Sequence, residues 1–425
     1  MTDAETFSSA AVAAPHLAAA RAGRDILVAG GNAIEAMIAM AASIAVVYPH
    51  MNSIGGDGFW LIHEPKGKVR AIEACGFAGA RATIRFYRDQ GYDAMPARGP
   101  HAALTVPGAI GGWMAALDLA KALGAKLPLR DLLAAAIKEA REGYAVSGSE
   151  ARSLPRDAVD FAALPGFAET ILVNGKSPNA GDHRKLPKLA DTFEQLAHAG
   201  LDDFYRGDVA REIAADCERI GSPVTRDDLR NYKANWREPL RLKLAGRTHL
   251  NFPPPTQGLA SLIILGLFDR LGVTRCDSFE HMHGLIEATK RAFAVKDAVI
   301  TDFDHLKHDP SAYLEPAWLD REAAAISMSR AAGFPLPPAK GDTIYMCACD
   351  ADGLAVSYIQ SLYWEYGSGC VLPSTGIMMQ NRGVSFSLDP KSVNPLSPGR
   401  RPFHTLNPAM TLFDDGRVMP YGTMG

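Results

Sequence analysis

Threonine is a weak nucleophile until a base removes the proton from its hydroxyl. A threonine that begins a chain carries its own base, because a terminal α-amine has a pKa of about 7.7–8.0 and accepts protons near neutral pH. Thr343 stands where such a residue could be made: Gly341 and Asp342 close a loose stretch, and the chain turns abruptly apolar after it. Cutting the Asp342–Thr343 bond would free the amine. By residue type alone Thr343 is also simply the threonine that opens a strand, and the spacing does not choose between the two.

The elements around it are legible. TIYMCAC and LAVSYIQS are two β-rich runs around the turn Asp350-Ala351-Asp352-Gly353, a hairpin that begins at Thr343. The stretch 331–342, AAGFPLPPAKGD, is rich in Pro and Gly and reads as an exposed linker. In the first third, Ala29-Gly30-Gly31-Asn32 separates one helix from a second, Ile34 to Val47, which is apolar enough to be buried but too short to span a bilayer. A turn at Ser53-Ile54-Gly55-Gly56-Asp57-Gly58 precedes a strand from Phe59 to His63, and Val106-Pro107-Gly108-Ala109 leads into a helix with Trp113. The middle, about 125–335, reads as helices alternating with loops and holds PPPTQG at 253–258.

Composition excludes several function classes. The 425 residues are 47% hydrophobic and 21% charged with a formal net charge of −3, which gives no electrostatic case for a nucleic-acid or anionic-membrane partner. The N-terminus carries acids where a signal peptide needs basic residues, so a cytoplasmic protein is expected. Six scattered cysteines, with only Cys347 and Cys349 close together, read as free thiols rather than a zinc site. The segment from Lys296 to Asp309 holds acids and histidines at irregular spacing and reads as an exposed loop rather than a metal site. P-loop, dinucleotide, nucleophile-elbow and zincin motifs are absent, and no metal or organic cofactor is implied.

Several stretches in order, AGRDILVAGGNAIEA, VVYPHMNSIGGDGFW, TVPGAIGG, PPPTQG, GDT, GSG, STGIMMQN and RPFHTLNPAM, resemble the γ-glutamyltranspeptidase family of N-terminal-nucleophile hydrolases over roughly residues 10 to 425. The resemblance implies an α+β fold, an αββα sandwich with an additional mainly helical region. It also implies a proenzyme that cuts itself before Thr343 into a large segment, 1–342, and a small one, 343–425; whether the pair assembles further stays open. Thr343 would be the nucleophile, and Ser361 aligns with a supporting family threonine, although an ordinary strand serine is the plainer reading. Gly422-Thr423-Met424-Gly425 resembles the glycine turn that forms the family's oxyanion hole. The sequence stops at Gly425, the first of two expected glycines, and is read as truncated.

The substrate pocket departs from γ-glutamyl recognition. The family acid that pairs with the substrate's amino group aligns with Ser385, the Gln before it with Arg382, and the Asn after the supporting threonine with Tyr363. After Ala80-Arg81-Ala82-Thr83 the carboxylate-clamping arginine is displaced to Arg85. His404 and Thr405 fall where the family has paired serines near the oxyanion, and Tyr363 and Trp364 are placed to wall off a smaller pocket. A buried ammonium without a carboxylate costs several kcal/mol, on the order of 3–5, whereas Arg382 suits a small anion. SLYWEYGSG and MQNRGVSFSL resemble the oxamate amidohydrolase branch, so a small carboxylate-bearing amide is expected, oxamate first. Two alternatives remain: γ-glutamyl transfer or hydrolysis on glutathione-like donors, and an inactive relative that binds without turnover. Arg382 as a structural salt-bridge residue is the plainer reading of that position.

Overall fold

All fifteen residues of the helix Ala33–Val47 are buried, and its start explains why it stops neither short nor long. Asn32 caps it with its side chain on the Ile34 and Glu35 amides, while Glu35 returns a bond to the Asn32 amide. Losing such a cap costs about 1 kcal/mol. Gly30, at φ +87°, ends the preceding helix Leu17–Val28 at the glycine break. The structure, a computed structural model, describes residues 9–154, 159–333 and 343–424. Asp342, Gly425 and most of the linker, 334–342, therefore lie outside the described residues.

Among the described residues, six antiparallel strands form the larger sheet, in the order Ala11–Ala13, Ile344–Cys349, Ala355–Ser361, Asp57–His63, Val69–Ala74 and Asn235–Arg237. The hairpin is present as expected. Gly353 holds φ +84° in the turn, and Asp350 Oδ1 accepts the Asp352 and Leu354 amides. Asp350 Oδ2 also accepts the Ala33 amide at 2.9 Å, tying the turn to a helix N-terminus that favours negative charge. The second hairpin strand is buried along its whole length because it is central.

A four-stranded antiparallel sheet, Val418–Tyr421, Ala409–Phe413, Arg247–Asn251 and Leu240–Leu244, packs on the larger one. Phe59, Leu61 and Ile359 from one sheet meet Leu250, Phe252 and Met410 from the other. Their neighbours Trp60, Ile62 and Tyr358 point the opposite way, into the helices 17–28, 33–47, 109–122 and 129–142. The outer face of the smaller sheet, through Leu240, Leu242 and Leu244, carries helices Gly258–Arg270, Phe279–Val299 and Pro316–Ala324. The result is the expected αββα sandwich. Short helices between residues 148 and 231 form the additional helical region, with Phe193, Phe204 and Ile213 packed on the first helical layer.

The structure corrects three local expectations. The stretch 125–335 is not only helix and loop: Asn235–Arg237, Leu240–Leu244 and Arg247–Asn251 are strands, and Leu240–Leu244 alternates buried with exposed residues. The segment 296–309 is not simply an exposed loop: its helix runs to Val299, Thr301 and Asp302 are buried, and Asp302 accepts the Arg401 amide at 2.8 Å. The strand expected from Phe59 begins two residues earlier, at Asp57. Among the described residues no helix is long and apolar enough to cross a membrane.

Candidate active site

Register brings the site together. Gln360 pairs with Ile344 and Ser361 with Asp57, so Thr343, Ser361 and Asp57 lie at one end of three neighbouring strands. The approach is close enough to require glycine before Asp57: a Cβ on Gly56 would stand 2.3 Å from the Ser361 carbonyl oxygen, and one on Gly55 2.0 Å from that of Met378. The Gly-Gly-Asp-Gly run is thus a packing requirement of the sheet end that carries Thr343.

The Thr343 hydroxyl donates to the Gln360 carbonyl at 3.4 Å. Gln360 is itself pinned. Its Nε2 donates to Asn52 Oδ1 at 2.9 Å, its Oε1 accepts Tyr358 OH at 2.6 Å, and Trp113 Nε1 donates to Tyr358 OH at 3.1 Å. Asn52 Nδ2 in turn bonds the Ile44 and Tyr48 carbonyls at the end of helix Ala33–Val47. The strand that follows Thr343 is therefore referenced to a fully buried helix through a satisfied polar chain. Ser361 is buried, and its Oγ accepts the Tyr363 amide at 2.8 Å.

Arg382 is 1% exposed, and among the described residues no carboxylate forms an ion pair with it, although the charge of Asp57 reaches it from beyond ion-pair distance. Its Nη1 donates to Thr405 Oγ1 at 3.3 Å, its guanidinium lies 3.8 Å over the Tyr363 ring, and its Nε has no partner. Burial lowers its pKa to about 10, so it stays cationic at neutral pH. The structure thus gives no support for a structural salt bridge at this position. Tyr363 holds its ring there at φ +88°, outside the usual range for a residue with a Cβ. Arg98 holds the same loop by donating to the Glu365 carbonyl at 2.6 Å and to that of Gly367, with its guanidinium 5.8 Å from the Trp364 ring centre.

His404 is fully buried beside them. Its Nε2 lies 3.2 Å from Asp57 Oδ2, without the alignment of a full hydrogen bond, and its ring meets Phe59 edge-on at 4.9 Å. Burial, then the positive charge of Arg382, lowers the His404 pKa to about 4 despite Asp57, so the ring is neutral near pH 7. The His404 backbone is fixed by the PPPTQG segment: its amide donates to Pro255 O and its carbonyl accepts the Gln257 amide, both at 2.9 Å.

The structure accordingly gathers Thr343, Ser361, Tyr363, Arg382, His404 and Thr405. Ser385 ends the short turn Arg382–Ser385, with a buried Oγ that has no partner among the described residues. Arg85 does not join them. Its side chain is 90% exposed on helix Ile84–Asp89 and pairs with Asp89, because the one-place shift turns it to solvent. At the chain's end, Gly422 packs on the Tyr345 ring and Thr423 is exposed, while Gly425 lies outside the described residues. Sequence reading missed Asp57, Gln360, Asn52 and Gln380, whose Nε2 donates to Asp57 Oδ1 at 2.9 Å. The Gly-Gly-Asp-Gly run was the one available signal, and it reads as a turn.

Known proteins resemble this chain over nearly its whole length. The sequence model described as Gamma-glutamyltranspeptidase matches residues 19–425. An oxamate amidohydrolase proenzyme of Klebsiella pneumoniae is 48% identical over 413 residues, covering 97% of this chain and 78% of that protein. A glutathione hydrolase-like proenzyme of Bacillus subtilis is 37% identical, with the same two coverages. The crystal structure of cephalosporin acylase from Bacillus halodurans superposes with a TM-score of 0.88 at 32% identity, covering 99% of this chain and 80% of that one. For Helicobacter pylori γ-glutamyltranspeptidase the TM-score is 0.71 at 27% identity, over 76% of this chain and 93% of that one. The chain belongs to the γ-glutamyltranspeptidase family of N-terminal-nucleophile hydrolases and is an enzyme of amide hydrolysis or γ-glutamyl transfer.

Proposed function

We propose that the chain cleaves itself before Thr343 and then hydrolyses a small carboxylate-bearing amide, with oxamate the best match. The observation that carries this reading is Arg382, a buried cation with no carboxylate of its own. Such a charge is costly to hold unpaired, and a substrate carboxylate would complete it with charge-assisted hydrogen bonds. Ser385 stands where a γ-glutamyl site needs an acid, so a substrate ammonium would meet the charge of Arg382 without the acid that a γ-glutamyl site sets against it. The 48% identity to an oxamate amidohydrolase proenzyme points the same way.

In the mechanism, Thr343 Oγ attacks the amide carbon and its proton passes to the freed α-amine. The amine hands that proton to the nitrogen as the C–N bond breaks, and ammonia leaves an oxalyl ester on Thr343. Water then attacks the ester with the same amine as base, and oxalate and the threonine hydroxyl are released. Ser361, next along the strand from the Gln360–Ile344 pair, supports the nucleophile. The backbone amides of the terminal glycine turn, which includes Gly425, are assigned to the oxyanion. His404 and Thr405 line the substrate with Arg382, Tyr363 and Trp364. Strands of the small segment 343–425 lie between strands of the large segment 1–342, so the two would stay joined after cleavage. Six free thiols fit a reducing cytoplasm.

The test compares ammonia release from oxamate with hydrolysis of a γ-glutamyl anilide, alongside an intact-mass spectrum under denaturing conditions. Two fragments meeting at Asp342 and Thr343, with turnover of oxamate, are expected. Thr343→Ala should abolish both cleavage and turnover. Efficient use of the anilide in place of oxamate would overturn the substrate reading.

A further inference from the structure

Asp57 carries three hydrogen bonds on one oxygen: Oδ1 accepts the Gly76 amide at 3.0 Å, the Gly108 amide at 3.1 Å and Gln380 Nε2 at 2.9 Å. That fixes the carboxylate plane and leaves Oδ2 facing His404 Nε2 at 3.2 Å. We propose that Asp57 is a positioning residue that keeps the His404 proton on Nε2, so that the bare Nδ1 accepts an N–H from the substrate and the site selects amides over esters of the same carboxylate. The inference rests on the carboxylate-bearing amide reading above.

A carboxylate only accepts hydrogen bonds, so the nitrogen facing it must be the protonated one. Burial and the neighbouring Arg382 keep the ring from taking a second proton, which leaves Nδ1 as a lone-pair acceptor. Both ring nitrogens are buried and without a full hydrogen bond among the described residues, but Nε2 has Asp57 Oδ2 at 3.2 Å to turn to whereas Nδ1 has no such neighbour, and leaving an acceptor unmet is costly. The ring cannot easily turn away from this duty, since its backbone is bonded on both sides to the Pro255–Gln257 stretch and Phe59 packs on its edge. An unmet acceptor at His404 and an unmet donor at Arg382 Nε together complement an amide N–H beside a carboxylate. An ester would bring oxygen lone pairs against Nδ1 instead.

The test uses oxamate and monomethyl oxalate, which share a carboxylate and give the same oxalyl ester on Thr343. In Asp57→Asn the three donors still require an acceptor at Oδ1, so the new amide nitrogen must face the ring and push the His404 proton to Nδ1. The amide-to-ester ratio of kcat/KM is expected to fall by about tenfold or more. A parallel loss on both substrates, with the ratio kept, would mean that Asp57 only supports the fold and would overturn the proposal. Nitrogen-15 NMR of the wild-type protein reads the tautomer directly, with the signals assigned by their loss in His404→Asn, and it does not depend on the variant folding. A proton on Nδ1 in the wild type overturns the proposal whatever the substrate. A proton on Nε2 with neither compound turned over would instead sink the substrate reading, and the amide selection with it, while supporting the hold of Asp57 on the ring.

Discussion

The Arg382 guanidinium lies 3.8 Å over the Tyr363 ring, which together with the more distant charge of Asp57 is the counter-charge the protein gives it. A ring face contributes about 0.5–2 kcal/mol to holding a cation, less than the several kcal/mol a buried ion typically costs. The site is therefore held at a cost to stability in the free enzyme. Replacing Arg382 with Met, of similar length and no charge, is expected to stabilise the fold by about 1–4 kcal/mol. The same change should lower kcat/KM for oxamate by about a hundredfold, the worth of a buried charge pair. Urea unfolding and steady-state kinetics on one preparation check both. A destabilised Arg382→Met would show that the guanidinium cross-links the fold rather than waits for an anion.

Tyr363 stores strain for the same purpose. At φ +88° a residue with a Cβ costs on the order of 1–3 kcal/mol, and only the surrounding bonds hold it there. Its amide is caught by Ser361 Oγ, and the next residue's amide by Asn381 Oδ1 at 3.2 Å. Tyr363→Gly should relieve the backbone and lose the ring. We expect a protein at least as stable as the wild type, with KM for oxamate raised about tenfold because Arg382 is no longer stacked. A KM unchanged within twofold would remove Tyr363 from the anion site.

Much of this was legible in the sequence where local rules govern. The Asp350–Gly353 turn, the capped helix after Gly31 and the hairpin that opens at Thr343 follow from turn residues and periodicity. The αββα arrangement followed from motif order, not from pattern, since Leu240–Leu244 passed as part of a helical region despite its strict alternation. Arg382, His404 and Thr405 were named from their motifs. Asp57 was not, because a single acid in a glycine turn looks like a surface turn residue until three donors from distant segments are seen around it. Arg85 failed for the opposite reason: a one-residue shift on a helix rotates a side chain by about 100°, and that sends it to solvent.

His50 and His404, both fully buried, make the fold acid-sensitive. His404 is lowered to about 4 and His50 to about 3, both chiefly by burial. The unfolded chain takes up these protons below about pH 6.5, while the folded state stays neutral at both rings until near pH 4. Stability should thus fall as pH drops from 6.5 towards 4, by about 1.4 kcal/mol per pH unit for each histidine. Urea midpoints at pH 5 and pH 6.5 measure the slope. His50→Gln and His404→Gln should each remove about one proton from it; a slope unchanged in both variants would mean that other groups, not these rings, set the acid limit.

Asn52 reaches the nucleophile through two bonds and no direct contact. It joins the Gln360 side chain to the Ile44 and Tyr48 carbonyls, and the Gln360 carbonyl in turn holds the Thr343 hydroxyl. Asn52→Ala strands the Gln360 amide donor in the core, a loss of about 1–3 kcal/mol. It also frees the strand end to shift relative to helix Ala33–Val47. Self-cleavage needs the Thr343 hydroxyl within attack distance of the preceding carbonyl, and small displacements are expensive: about 1 Å can cost on the order of a hundredfold in rate. We therefore expect Asn52→Ala to fold, to accumulate as uncut precursor, and to cleave at least tenfold more slowly in a time course followed by intact mass. Asn52→Asp keeps the acceptor for Gln360 but loses the donor to the helix carbonyls, so its cleavage rate should fall between the two. Cleavage at the wild-type rate in Asn52→Ala would show that the helix does not position Thr343, and that the hairpin register alone suffices.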